Sequence, residues 1–251
     1  MIHLKEDKEI KIMQEGGKIL RQVVAELKKN VIQVGITTLE IDNQAQKLIK
    51  KFGGQISFNK VKDYYWATCL PINEEIVHSP PSKRVLKKGD VLTLDIGVYF
   101  RGFHTDFADT FVVGETKDKK IKRFLEVGKE TLNQAMKKLK KGGRLGEVSE
   151  AIEQNITRHG YFVVKKLTGH GIGRSLHEDP YVFGYLARPI EQTELIKPGL
   201  AVAIEVIYSM GTEEMVYDRD HPWIIKTQDN SLSACFEHSL VVTDKDTVIL
   251  T

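Results

Sequence analysis

The residues of this chain that suggest chemistry are acids standing where acids are costly. Asp95 lies within Val-Leu-Thr-Leu-Asp-Ile-Gly-Val, and Glu205 within Leu-Ala-Val-Ala-Ile-Glu-Val-Ile. Glu237, in Ala-Cys-Phe-Glu-His-Ser-Leu-Val-Val, is a third. A carboxylate buried in such an apolar run must be paired or bind a metal. Asp106 and Asp109 follow Gly102-Phe-His-Thr, which reads as a hairpin turn leading into Phe111-Val-Val; either can be a turn-forming Asp and nothing more. Gly169-His-Gly-Ile-Gly173 sets His170 among glycines, and His177 follows seven residues later. Glycines allow close backbone approach and positive φ, so this histidine is held tightly yet accessible. A phosphate loop is the rival, but no Lys-Ser/Thr follows. Four carboxylates and one imidazole suggest two adjacent divalent cations. Oxygen-rich ligation favours Mn²⁺, Fe²⁺ or Co²⁺ over a thiolate-type zinc site. Two such metals activate one bridging water and clamp a tetrahedral intermediate.

Four amphipathic helices and several strands must position these groups. Apolar stripes predict helices over 6–30, from Thr37 to Phe52, over about 118–141 and over about 145–159. Thr37 with Glu40 is a capping box, and Gly53-Gly54 and Gly160 are stop signals. Residues 91–100, 109–113, 200–208 and 239–243 read as strands. The two halves also repeat. Gly35, Glu40, Ile41, Ile49 and Gly53 fall on Gly142, Glu147, Val148, Ile156 and Gly160, and Lys87, Gly89, Leu94 and Asp95 on Lys197, Gly199, Ile204 and Glu205. His78-Ser-Pro-Pro falls on His177-Glu-Asp-Pro. Two α+β halves related by a pseudo-twofold would pack around one cleft, with Asp95 and Glu205 facing the same spot.

The chain has 251 residues, 37 Lys+Arg against 34 Asp+Glu, and two cysteines. So even a balance argues against a dedicated nucleic-acid or membrane-surface protein. Two cysteines are too few for a disulfide framework, and no apolar run approaches a bilayer span. The opening segment is charged and lacks the apolar core of a signal peptide. A cytoplasmic protein is expected.

Taken together, the motifs resemble the type I methionine aminopeptidases, the short bacterial form of the pita-bread metallopeptidases. The stretches that carry the resemblance are 34–42, 72–78, 95–98 with 102–106, 169–173 with 177–180, 203–205 and 226–238. The resemblance implies an α+β pita-bread fold, with two pseudo-twofold halves and a curved, mostly antiparallel sheet covered by helices. It implies one catalytic domain over 1–251, with an internal repeat of roughly 6–113 and 114–251. The eleven-residue step from Asp95 selects Asp106 and leaves Asp109 structural. Asp95 would hold one metal, His170 and Glu205 the other, and Asp106 and Glu237 would bridge both. The metals would be two per chain, Co, Mn, Fe or Zn, with Mn, Fe and Co favoured. Glu205 would also shuttle a proton. His78 would contact the scissile amide nitrogen, and His177 would donate to the carbonyl oxygen. The methionine pocket would take Cys69, Trp223, Leu176 and Tyr64 or Tyr65. His104 and His238 match no role and read as surface or support. The partner would be nascent polypeptide N-termini, with the ribosome possible and no membrane or specific nucleic acid, and the chain would be a monomer.

The sequence departs from the family pattern at Leu176, Ser79, Val206 and Cys235, which puts efficiency and side-chain preference in question but no metal ligand. Two rival functions stand beside the first. Xaa-Pro aminopeptidases or dipeptidases share fold and metals but carry an N-terminal domain for which a repeat starting at Glu6 leaves no room. A non-catalytic pita-bread binding module would have lost ligands.

Overall fold

The computed structural model describes residues 2–251. The chain runs α1 (Asp7–Glu26), a π turn (Leu27–Val31), α2 (Thr38–Lys51), β1 (Gln55–Ile56), β2 (Thr68–Cys69), β3 (Glu75–Val77), β4 (Val91–Phe100) and β5 (Phe103–Val112). It continues through α3 (Lys119–Lys138), α4 (Leu145–Arg158), β6 (Phe162–Val163), β7 (Thr168–Gly171), β8 (Glu178–Phe183) and β9 (Ala201–Ser209). The last elements are β10 (Met215–Tyr217), β11 (Ile225–Thr227), β12 (Ser233–Val242) and β13 (Thr247–Ile249).

Local chemistry sets the helix ends. Thr37 Oγ1 accepts from the Glu40 N–H at 3.2 Å and Glu40 Oε2 accepts from the Thr37 N–H at 2.9 Å, so α2 starts at the expected capping box. It stops where Gly53 turns to φ +88°. Two ends differ from expectation. The α-helical part of α1 closes at Glu26 and loosens into the π turn. α3 ends at Lys138, because Leu139 leaves the helical region (ψ 84°) to bury its side chain in the core.

The main sheet has the order β1-β4-β5-β12-β9-β7-β8, with β2 on β4, β6 on β9 and β13 on β12, and a small sheet runs β10-β11-β3. Every pairing is antiparallel. β5 and β12 begin earlier than the apolar runs predict, at Phe103 and Ser233. The β4–β5 hairpin turns at Arg101 and Gly102, both at positive φ, so Phe103–Thr105 belong to the strand and not to the turn.

Alternation divides the central strands between two faces. On the outer face, Leu92, Leu94, Ile96 and Val98 pack on α1 and α2 through Leu20, Val23, Ile41 and Ile49. Val202, Ile204, Val206 and Tyr208 pack on α3 and α4 through Phe124, Leu132, Val148 and Ile152. All four helices therefore cover one face, one pair to each half. The inner face carries Asp95, Asp106, Glu205 and Glu237. No helix among the described residues is long and apolar enough to cross a membrane.

Candidate active site

Register builds the site. Cys69 pairs with Asp95, Asp95 with Ala108, Ala108 with Glu237, and Glu237 with Glu205, so one row across five strands carries three acids. The next inner row runs through Gly97 opposite Asp106 and through Ser239 opposite Ala203, which also pairs with His170. Gly97, Ala108, Ala203 and Ser239 are small, and their size leaves room above the sheet for the acids.

A cavity of about 100 Å³ opens over these rows. Its wall includes Asp95, Asp106, His170, Glu205 and Glu237 together with His78, His177, Cys69, Tyr64, Leu176 and Trp223. Tyr65 does not line it and is 72% exposed, so Tyr64 alone of the two faces inward. Phe58 and Val61 also line the cavity, and no sequence signal marked either. Asp109 points to the outer face, where the Lys28 and Lys129 ammonium groups pair with it, the latter at 3.7 Å. His238 also faces outward, with Nδ1 3.2 Å from Thr251 Oγ1. His104 is buried and not a surface group; its Nδ1 lies 2.7 Å from Ser57 Oγ.

The loops deliver the histidines. His170 sits on β7, where Gly169 and Gly171 press against the carbonyls of Ala203 and Asp179; a Cβ at either would stand 2.4 Å or 2.2 Å from those oxygens. His170 Nδ1 is 2.8 Å from the Gly171 carbonyl, which fixes the proton there and leaves Nε2 free, 3.5 Å from Glu205 Oε1. The His177 ring meets the His170 ring edge-on at 4.4 Å. His78 leaves β3 at φ 62°, a strained backbone for a non-glycine residue that turns its ring into the cavity. Tyr64 stacks edge-on to Trp223 at 5.2 Å, and its hydroxyl bonds the Thr68 carbonyl at 2.7 Å and Cys69 Sγ at 3.1 Å.

Two of the departures lie beside the cavity and one away from it. Leu176 is on the wall, and Ser79 is buried next to His78 with an unpartnered hydroxyl. Val206 faces the helices within the core.

The electrostatics ask for cations. Burial, then the neighbouring Asp106 and Glu205, push the Asp95 carboxyl well above its ordinary value. Burial and Asp106 do the same to Glu205, and burial with Asp106, Glu205 and Asp95 to Glu237. Burial raises Asp106 to about 7. Among the described residues, no lysine or arginine lines the cavity. Glu237 Oε1 is buried without a hydrogen-bond partner. Ligating atoms of Asp106, His170 and Glu237 come within 4.8 Å of one another. An orphaned carboxylate oxygen in an acid cluster beside a free imidazole nitrogen fits a bound divalent metal. Burial lowers the pKa of His78 to about 4 and of His170 to about 3, and lowers that of His177, so all three imidazoles are neutral at pH 7.

A helix-backed antiparallel sheet presenting clustered acids and imidazoles in a small cavity is the architecture of a metal-dependent hydrolase. The chain matches the model of metallopeptidase family M24 over residues 11–244. It is 38% identical over 251 residues to methionine aminopeptidase 1 of Bacillus subtilis (strain 168), covering 100% of this chain and 99% of that one. It is 37% identical over 252 residues to methionine aminopeptidase of Clostridium acetobutylicum, again covering 100% and 99%. The crystal structure of methionine aminopeptidase from Thermotoga maritima superposes with a TM-score of 0.95 at 36% identity, covering 100% of this chain and 99% of that one. The chain belongs to metallopeptidase family M24, and its fold is the expected pita-bread fold.

Proposed function

We propose that this chain removes the N-terminal methionine from nascent polypeptides and prefers a small second residue. One observation carries the reading: an apolar slot walled by Phe58, Tyr64, Cys69, Leu176 and Trp223 opens directly onto the acid cluster. An unbranched thioether suits such a soft, aromatic wall. Burial pushes the Cys69 thiol up, so it stays neutral and acts as wall and not as nucleophile.

Asp95 would hold one divalent ion, His170 and Glu205 the second, and Asp106 and Glu237 would be shared between them. Mn, Fe or Co suits this donor set better than Zn. Such a pair supplies Lewis acidity and neutralises the clustered carboxylates when bound. Glu205 takes a proton from the attacking water and delivers it to the leaving amine. His177, neutral, donates an N–H to the carbonyl oxygen as negative charge develops there. His78 contacts the amide nitrogen and holds the scissile bond in line. The catalytic unit is one domain, with halves of roughly 6–113 and 114–251. The setting is the cytoplasm, with a monomer acting on emerging chains at or near the ribosome.

The test compares Met-Ala-Ser with a Xaa-Pro peptide on protein loaded with Mn²⁺ or Co²⁺. Methionine release by the wild type that disappears in Glu205→Gln is the expected result. Turnover of only the proline peptide would assign the chain to the Xaa-Pro enzymes, and turnover of neither to a binding module.

A further inference from the structure

The two halves of the sheet meet along one seam, β5 against β12. Their direct main-chain register covers only Ala108–Glu237 and Phe107–His238. By contrast, β4 pairs β5 from Val91 to Phe100, and β9 pairs β12 from Ala201 to Ser209. Beyond each end of the short ladder, one side-chain hydroxyl spans the gap. Ser239 Oγ accepts from the Asp106 N–H at 2.8 Å and donates to the Asp106 carbonyl at 2.9 Å. Thr110 Oγ1 accepts from the Cys235 N–H at 3.0 Å and donates to the Cys235 carbonyl at 2.7 Å. Each hydroxyl satisfies both main-chain groups of the residue it faces, where a continuing ladder would join strand to strand.

The Ser239 main chain and the Thr110 hydroxyl have further partners. The Ser239 N–H donates to Thr251 Oγ1 at 3.0 Å, and the Ser239 carbonyl accepts from the Leu250 N–H at 2.8 Å. The single Thr110 proton goes to Cys235, so Thr93 Oγ1 is the donor in its 2.8 Å contact with Thr110. Thr93, Thr110, Cys235 and Ser239 are all buried. This arrangement keeps the seam from zipping, and it does so around Asp106 and Glu237. Ser239 grips the main chain of Asp106 itself and stands two residues from Glu237.

We infer that Ser239 and Thr110 are positioning residues: their hydroxyls set the strand separation at the seam, and with it the span between the Asp106 and Glu237 carboxylates. The inference rests on the reading of those two acids as ligands shared by a metal pair. Neither Ser239 nor Thr110 lines the cavity. Each acts through the backbone that carries a ligand.

The test is a Co²⁺ titration of metal-free protein, followed by visible absorption, with Mn²⁺ affinity from calorimetry and folding from circular dichroism. Ser239→Ala and Thr110→Val should weaken binding by about tenfold or more and alter the Co²⁺ bands, as losses outside the ligand set do. Ser239→Thr and Thr110→Ser keep the hydroxyl and should restore near-wild-type binding and bands. Wild-type affinity and bands in folded Ser239→Ala and Thr110→Val overturn the inference, and so does a loss of stability alone. Should Ser239→Ala not fold, Ser239→Cys decides, since its thiol keeps the volume but bonds weakly; wild-type affinity there overturns it. A wild type that binds no Co²⁺ overturns the ligand reading itself, which the variants' failure alone would leave standing.

Discussion

Glu205 on β9 and Glu237 on β12 are direct register partners, two carboxylates abreast on neighbouring antiparallel strands. Like charges so placed destabilise a sheet. Burial and the surrounding acids push both carboxyls upward, and among the described residues no lysine or arginine in the cavity wall offsets them. Only protons or bound cations can hold the pair together. The sheet is thus built against its own stability at the point where a metal pair would sit.

This conflict sets the order of stabilities. Metal-free Glu237→Gln loses one of the mutually repelling carboxylates and should be more stable than metal-free wild type near pH 8. Relief of about 1 kcal/mol corresponds to roughly 2–4 °C in Tm for a chain of this size. Mn²⁺ should then reverse the order. Ligand at about 100 times Kd stabilises the wild type by about 2.7 kcal/mol, and the variant by less. Scanning calorimetry with and without metal checks this, and an unchanged order would remove the cluster's role as a metal site.

His104 gives a pH dependence of its own, from a buried ring outside the proposed ligand set. Burial, with a smaller push from Lys60, holds its pKa down at about 4. In the unfolded chain it takes up a proton near pH ~6.5. The unfolded state therefore binds more protons between those values. The stability of the neutral ring is present in full above about 6.5 and is lost as pH falls to about 4. His104→Asn has no ring to titrate. Its stability deficit against wild type, both metal-free, should shrink by up to about 3 kcal/mol over that window. Parallel denaturation curves from pH 7 to 4 would contradict the buried neutral state.

The sequence announced the acids better than the strands that carry them. Asp95 and Glu205 stand out because the runs around them are apolar on both faces. β5 and β12 were legible only at their apolar ends, 109–113 and 239–243. Their inner faces carry Asp106, Ala108, Cys235 and Glu237 and their outer faces Thr105, Phe107, Phe236 and His238, and this mixture hides a strand. Register is a tertiary property, so no local pattern could place Ala108 between Asp95 and Glu237. Phe58 and Val61 reach the cavity on a loop pinned from far away. Asp42 accepts from the main-chain N–H groups of Ala67 and Thr68 at 2.9 and 3.0 Å, and from Thr68 Oγ1 at 2.8 Å. Tyr64 and Tyr65 differ by one position but lie inside and outside that loop.

Removing His177 should separate chemistry from metal binding. Its ring lines the cavity and meets the His170 ring edge-on at 4.4 Å, and the proposed ligand set does not include it. Loss of a donor to a developing oxyanion costs roughly 10²–10³ in kcat. His177→Ala should show that loss with Mn²⁺ affinity held. A fall in affinity parallel to the fall in activity would make His177 a ligand and not an oxyanion donor.

Two adjacent glycines on the buried face of α1 should respond oppositely to alanine. A Cβ at Gly16 would stand 3.3 Å from Phe100 Cβ, a tight contact with a side chain. Alanine gains about 1 kcal/mol over glycine inside a helix, which roughly offsets that contact, so Gly16→Ala should stay within about 1 kcal/mol of wild type. A Cβ at Gly17 would stand 2.0 Å from the Leu250 carbonyl oxygen. That obstacle is main chain, and it is tied down: the Leu250 N–H bonds the Ser239 carbonyl, and Thr251 Oγ1 accepts from the Ser239 N–H. Gly17→Ala must displace α1 or residues 250–251, at a cost of about 3 kcal/mol or more. Displacement of those residues also strips Ser239 of two partners, so the metal affinity of Gly17→Ala should fall with its stability while Gly16→Ala keeps both. Denaturant midpoints and Co²⁺ titrations of the two variants read this directly. A Gly17→Ala protein as stable as Gly16→Ala would mean that Leu250 is not seated against α1.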